Sequence, residues 1–412
     1  MNSTLSIFEK VQNKTNLKLV YIAGLLFFFF MLFDGAVSFV VPIAVTQIGL
    51  SKSAMGLIYG SSSVFGAIFD FILSKTLTNT HFRRIYMLMF ILCLLCLFVL
   101  ANANTVLLFL IAMALWGFYF DLSNFANFDF ISRRTLKRDH SQGFGIIWMF
   151  RALGYTIAPL VIGSIIGNLI DSKVFIYMGI FLSISFGFFI LLVFVTNKNK
   201  REMVVNKDSK LQSTSFEINL WKKVGKKMFP VLIMTTILWI IEASFWTIGP
   251  FMYESIPELG SFKGLFLALY TLPPLFIGWF LSPLSKKLGK KKTAFYALIT
   301  GSIFLVSILF VNSGWIILSL VFIASCFIAL CLPSIAGVYS DYIVEAPHLE
   351  KEIEALEDFF TNIGYVIGPI LAGFLAEKFG NIKVFSILGL VSIIATLILI
   401  KVTPKNIQID KK

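Results

Sequence analysis

Charge is scarce in this chain: 14% of its 412 residues are Asp, Glu, Lys or Arg. A soluble domain hides its core behind a polar shell, and that shell is excluded here for want of residues to build it. Histidine is scarcer still. His81, His140 and His348 all fall outside the apolar runs, so any proton carried across a membrane interior falls to carboxylates. The four cysteines (Cys93, Cys96, Cys326, Cys331) lie inside apolar runs. Cys93-x-x-Cys96 has the spacing of a zinc pair, but no second pair or neighbouring His completes it, so small apolar packing is the reading. No metal or other cofactor is expected. A glycine-rich phosphate cradle is also missing, which argues against an ATP-driven pump unless a partner supplies the engine.

Apolar runs are what the chain has instead. It is 58% hydrophobic, with a mean hydropathy of +0.87. Runs near the ~20 residues that cross a hydrocarbon core follow one another from end to end. Twelve are read, at 19–46, 54–74, 85–101, 105–130, 143–168, 174–196, 228–253, 263–284, 293–311, 315–343, 356–375 and 383–402. The first is too long, and too acidic in its middle, for a cleaved signal peptide. The net charge of +13 resembles a nucleic-acid footprint until it is mapped. Of the 35 Lys and Arg residues, Lys52, Lys173, Lys263, Lys378 and Lys383 fall on one side of the twelve spans and Arg151 within one; the rest gather on the other side. The positive-inside rule explains that bias, places both termini in the cytoplasm and makes a DNA-binding face the weaker account. The expectation is a multi-pass plasma-membrane protein, monomeric, with the lipid bilayer and no nucleic acid as partner.

Two acids interrupt these runs in matching places. Asp34 sits in Leu19–Val45, eight residues before Pro42, and Glu242 sits in Phe229–Phe251, eight residues before Pro250. An ionisable group near a bilayer centre costs on the order of 3 kcal/mol or more and marks function or pairing. The halves repeat more widely. Gly154-Tyr155-x-x-Ala158-Pro159-x-x-x-Gly163 matches Gly364-Tyr365-x-x-Gly368-Pro369-x-x-x-Gly373 at an offset of 210, which also aligns Lys173-Val174-Phe175 with Lys383-Val384-Phe385 and Gly179 with Gly389. The fold class expected is an all-α membrane protein: twelve transmembrane helices in two six-helix bundles, related by a pseudo-two-fold axis along the membrane normal. The domains are then 1–195 and 228–412, joined by a cytoplasmic linker at 196–227. Phe216, Leu220, Trp221 and Val224, with Lys222, Lys223, Lys226 and Lys227, fit a basic amphipathic helix on the inner membrane surface; a solvated linker fits equally.

These residues resemble the major facilitator superfamily over essentially the whole chain. Gly66-x-x-x-Asp70 is similar to its signature between helices 2 and 3, with the basic pair Arg83-Arg84 displaced by an insertion. Leu288-Gly289-Lys290-Lys291-Lys292 is similar to the second copy, with Lys286 where the acid would stand. The resemblance implies that this loop locks the cytoplasmic side, Asp70 meeting the start of helix 11. Gly145-x8-Gly154-x3-Ala158-Pro159-x2-Ile162-Gly163 is similar to the helix 5 signature of the drug/proton antiporter branch, two of whose glycines are Ala158 and Ile162 here. Met113 stands where that branch carries a helix 4 arginine. Small residues allow close helix approach, so Gly66, Asp70, Gly145, Gly154, Pro159, Gly163, Gly364, Gly368, Pro369 and Gly373 are assigned to gating and helix packing.

Within the spans, Asp121 and Arg151 lie at similar depth in helices 4 and 5, and their repeat mates Cys331 and Thr361 are both uncharged. That is the pattern of a buried ion pair, with Asn124 on the Asp121 side. Asp129, beside Arg133 and Arg134, reads as a solvated helix end. Trp239, Glu242 and Trp246 share a helix face, which suits an organic cation through charge and cation–π attraction; ordinary packing explains aromatics at that spacing too. The Asp34 face carries Phe30, Met31 and Ser38. A proton and a cation competing for one carboxylate are sufficient for exchange. The function expected is secondary transport by alternating access: proton-coupled efflux of a small lipophilic or cationic compound, with protons as the second partner. Uptake of a sugar, peptide or organic acid is the alternative. Of another class, an intramembrane enzyme built on Asp121-x7-Asp129 lacks a second acidic cluster in the spans, while a non-transporting receptor stays open.

Overall fold

A computed structural model describes residues 17–76, 81–136, 139–167, 169–198, 214–260, 262–277, 284–285 and 287–403. Among them lie twelve α-helices and no strand. We number them α1 (Leu17–Gln47), α2 (Lys52–Thr76), α3 (Phe82–Ala101), α4 (Val106–Arg134), α5 (His140–Ile165), α6 (Ser172–Lys198), α7 (Thr214–Ile248), α8 (Leu265–Thr271), α9 (Lys290–Ser307), α10 (Gly314–Glu345), α11 (Glu350–Phe379) and α12 (Asn381–Val402). Ten are long and apolar enough to cross a membrane. The other two are informative exceptions. α2 carries Ser61 and Ser62, whose hydroxyls donate to the carbonyls of Ile58 and Tyr59 in the preceding turn, so their polarity is satisfied inside the helix. α8 does not run unbroken through the expected span. Pro273 and Pro274 cannot continue an α-helix, and the chain turns 3-10 over Pro273–Leu275.

Packing repeats between the halves. α1 lies on α5 and α6 as α7 lies on α11 and α12; α3 lies on α4 as α9 lies on α10; α2 lies on α4 as α8 lies on α10. The principal contacts between the halves are α2 with α11 and α5 with α8, which are repeat mates of one another. This is the pseudo-two-fold arrangement expected. The proposed linker falls largely outside the described residues, as does Lys286, while the segment from Thr214 is the first part of α7.

Glycines and prolines make the two seams. A Cβ on Gly56 of α2 would strike the Pro369 carbonyl of α11, and a Cβ on Gly264, just before α8, would strike the Pro159 carbonyl of α5. Gly373 and Gly163 complete the same contacts against Lys52 and Gly264. Gly154, Gly364 and Gly368 pack within their own halves, against α1 and α7, and Gly66 against Gly117 and Asp121 of α4. Gly145 departs from its expected packing role: a Cβ there would meet nothing within 4 Å, so its space is open.

The polar contacts between the halves gather at the end opposite the basic loops. Lys52 Nζ reaches Glu254 (3.0 Å) and Asn381 (2.8 Å), and Glu377 accepts from the Ser53 N–H (2.9 Å). In the mating seam Lys263 donates to the Gly167 carbonyl and Thr156 Oγ1 donates to that of Thr271 (3.1 Å).

Candidate functional site

Asp34 lies seventeen residues along α1 and is 1% exposed. Three neutral donors hold its carboxylate. Trp116 Nε1 and the Tyr119 hydroxyl both donate to Oδ1 at 2.8 Å, and the Tyr155 hydroxyl donates to Oδ2 at 2.6 Å. Trp116 and Tyr119 are one turn apart, so α4 presents both to α1. Tyr155 comes from α5, whose close approach to α1 is set by Gly154 against the Phe28 carbonyl and Met31.

Glu242 is held in the same way but less completely. Trp246, one turn further along α7, donates Nε1 to Oε1 (3.1 Å), and the Tyr270 hydroxyl donates to Oε2 (2.5 Å). Tyr270 is fixed by its ring stacking on Phe245 at 3.6 Å and by Ser325, which donates to its carbonyl. Glu242 keeps some exposure where Asp34 has almost none.

One ring contact joins the two acids across the halves. Tyr155 and Trp246 lie 5.5 Å apart at 57°, so each ring touches the other while its polar atom serves its own carboxylate. Tyr365, the repeat mate of Tyr155, instead packs on Trp239 at 5.1 Å, and Tyr59 packs on Trp116 at 5.1 Å. A cation entering here meets carboxylate charge and the faces of indole and phenol rings together.

Several expected partners are rearranged. Arg151 does not pair with Asp121: its Nη1 donates to Asn124 Oδ1 at 2.8 Å, and its guanidinium lies 5.2–5.7 Å from the rings of Phe27, Trp148 and Phe120. Matching depth was not enough, because Asn124 and Asp121 point about 60° apart around α4 at ~3.6 residues per turn. Asp121 turns instead to Gly66 of α2 and lies within electrostatic reach of Asp70 and of Asp358 near the start of α11. Asp129 is not a solvated end. It is 6% exposed and accepts from the Phe82 N–H (2.8 Å) at the start of α3 and from Arg133 Nε (2.8 Å), because the first turn of a buried helix needs an acceptor. Trp239 packs its ring on Tyr365, while the indole that donates to Glu242 is that of Trp246.

Trp116, Tyr119, Tyr155 and Tyr270 were not among the expected partners of the acids. The one-turn spacing of Trp116 and Tyr119 was a readable signal; nothing local marks Tyr270, which reaches Glu242 from another helix.

The Major Facilitator Superfamily model matches residues 23–348 and 232–412. The chain belongs to the major facilitator superfamily. Solved superfamily members share its fold. The nucleoside transporter NupG is 14% identical, with a TM-score of 0.73 over 94% of this chain and 100% of that one. The peptide transporter POT, in complex with sulfate, is 14% identical, with a TM-score of 0.74 over 94% of each. A bacterial homologue of the human lysosomal transporter Spinster, inward-facing and unoccupied, is 14% identical, with a TM-score of 0.67 over 94% of this chain and 95% of that one. No curated protein matches the chain by sequence.

Proposed function

We propose that this superfamily transporter exchanges protons for a lipophilic organic cation, exporting it from the cytoplasm. One observation carries the reading: each half has a membrane-embedded carboxylate held by an indole and at least one phenol, and the Tyr155–Trp246 ring contact links the two. The partly exposed Glu242 is the cation's contact and carries the proton it displaces, and Asp34 holds a second, coupled proton. A cation displaces the proton from Glu242; return of a proton from the other side displaces the cation. The seams at the far end and the basic loops at the near end fit a state closed to the outside, one limb of alternating access.

The test uses purified protein in weakly buffered detergent, with tetraphenylphosphonium as probe. Addition should release protons, and Glu242→Gln should abolish the release while Asp34→Asn reduces it. Release that survives both substitutions, or none with cations but some with nucleosides or peptides, sinks this reading in favour of nutrient transport.

A further inference from the structure

The sealed state of Asp34 raises a question of access. Trp116, Tyr119 and Tyr155 stand on it, and α1 is buried along nearly its whole length. The titratable groups facing it are Tyr59 of α2, Cys93 and Cys96 of α3, Tyr119 of α4, Arg151 and Tyr155 of α5 and Tyr365 of α11. None of these is a carboxylate, so no second acid hands Asp34 its proton directly.

Inside the first half, the buried polar atoms without a hydrogen-bond partner in the protein include the Tyr86 hydroxyl on α3, Asn127 Oδ1 on α4 and Arg151 Nε on α5. Their residues are 0%, 3% and 4% exposed. At ~1.5 Å per residue they lie about 6, 10 and 16 Å in from the basic end of their helices, with Asp34 at about 25 Å, so they form a ladder in depth. Tyr86 and Arg151 are also close laterally. The Phe27 ring touches both the Tyr86 ring (6.0 Å) and the Arg151 guanidinium (5.2 Å), and Tyr155, one turn above Arg151, ends the ladder at Asp34. Buried polar groups in a membrane interior take internal water when protein supplies no partner.

We propose a hydrated path inside the N-terminal bundle, running from its basic end past Tyr86, Asn127 and Arg151 to Asp34. It discharges the coupled proton from Asp34 to the basic end without passing Glu242. The first step is a relay: Tyr155 passes its hydroxyl proton to the water at Arg151 and takes the carboxyl proton from Asp34 Oδ2, so the phenol is regenerated and a hydronium moves on to the basic end. The guanidinium does not close the path to protons, because the carboxylate left on Asp34 balances its charge once the proton has gone. A separate route lets Asp34 discharge while Glu242 takes up a cation. The inference rests on the reading of Asp34 as a proton carrier; the water itself does not.

Radiolytic hydroxyl-radical footprinting of the full chain in nanodiscs tests the water. Tyr86 should be modified at least tenfold more than Tyr119, which is equally buried but has its hydroxyl satisfied by Asp34; equal modification overturns the path. Infrared hydrogen–deuterium exchange of the Asp34 carboxyl band, assigned by its loss in Asp34→Asn, tests the route. With tetraphenylphosphonium bound at Glu242, exchange should persist, and Tyr86→Phe and Asn127→Leu should each slow it at least tenfold. Exchange that stops when the cation binds, or ignores both variants, overturns the route. A carboxyl band that never appears instead overturns Asp34 as a proton carrier, whatever the footprint shows.

Discussion

At the scale of the residue, the two acids differ in how fully their partners hold them, and that difference sets what substitution should do. Glu242 has two donors and some exposure, so each donor matters to a competing cation. Trp246→Phe or Tyr270→Phe removes one charge-assisted bond, worth about 1.5–3 kcal/mol to the carboxylate form. Apparent affinity for tetraphenylphosphonium, read by calorimetric titration, should fall about 10- to 100-fold. Trp239→Phe, at a ring that packs on Tyr365 and is not one of the two donors to Glu242, should change it less than about threefold, within the cost of a modest packing change. Arg151 makes the opposite case, a buried charge held by one neutral amide and three rings. Asn124→Leu leaves that cation without its hydrogen bond, at a cost of about 3 kcal/mol or more. A clear fall in Tm is expected in a thermal-unfolding assay. Asp121→Asn, which removes no partner of Arg151, should leave the Tm nearly unchanged.

At the scale of the element, the interface between the halves is made by absence of side chain. Gly56 and Gly264 admit the Pro369 and Pro159 carbonyls, and neither position has room for a Cβ without moving backbone. Gly56→Leu or Gly264→Leu should therefore wedge its seam open. Overpacking costs typically about 1–3 kcal/mol, enough to move a balanced two-state population by roughly 5- to 150-fold. Paired spin labels at the far ends of α1 and α7 should show the distance distribution shift toward the longer population; an unshifted distribution would mean that this seam does not report the transport state. Much of this was legible from the chain. The offset of 210 predicts two matching seams, and small residues beside Pro159 and Pro369 mark the close approach. Gly56 and Gly264 were not legible, since each lies outside the matched motif and acquires meaning only from the helix across from it. The candidate site divides the same way. Asp34 and Glu242 stand out because acids in apolar runs are costly, and Trp246 follows from helical spacing. Tyr119, Tyr155 and Tyr270 reach the acids from other helices, and one-dimensional spacing carries no rotation between helices. That same missing rotation turned Arg151 toward Asn124 and away from Asp121.

At the scale of the whole molecule, a transporter of this fold has to break the contacts of one end to open it, so those contacts should be few, polar and exchangeable. The far end meets this description through two lysines at equivalent starts of α2 and α8. Lys52 crosses to Glu254 and Asn381 and lies 4.8 Å from the Phe251 ring; Lys263 crosses to the Gly167 carbonyl and lies 4.6 Å from the Tyr253 ring. Lys52 and Glu254 are partly solvated, 24% and 42% exposed, so each latch is worth only about 0.5 kcal/mol after screening. Lys52→Gln and Lys263→Gln should each shift the population toward the open far end about twofold, and the pair about fivefold, by addition at separated sites. Raising salt should imitate the Lys52 change, because screening weakens a surface pair. Lys290→Gln gives the contrast. Its pair with Asp341 at 2.5 Å joins α9 to α10 inside one half, so its loss leaves the balance between states where it was. Distance distributions from labels flanking the far seam distinguish the cases. Equal shifts from Lys52→Gln and Lys290→Gln would mean that general charge, not a latch between the halves, sets the resting state.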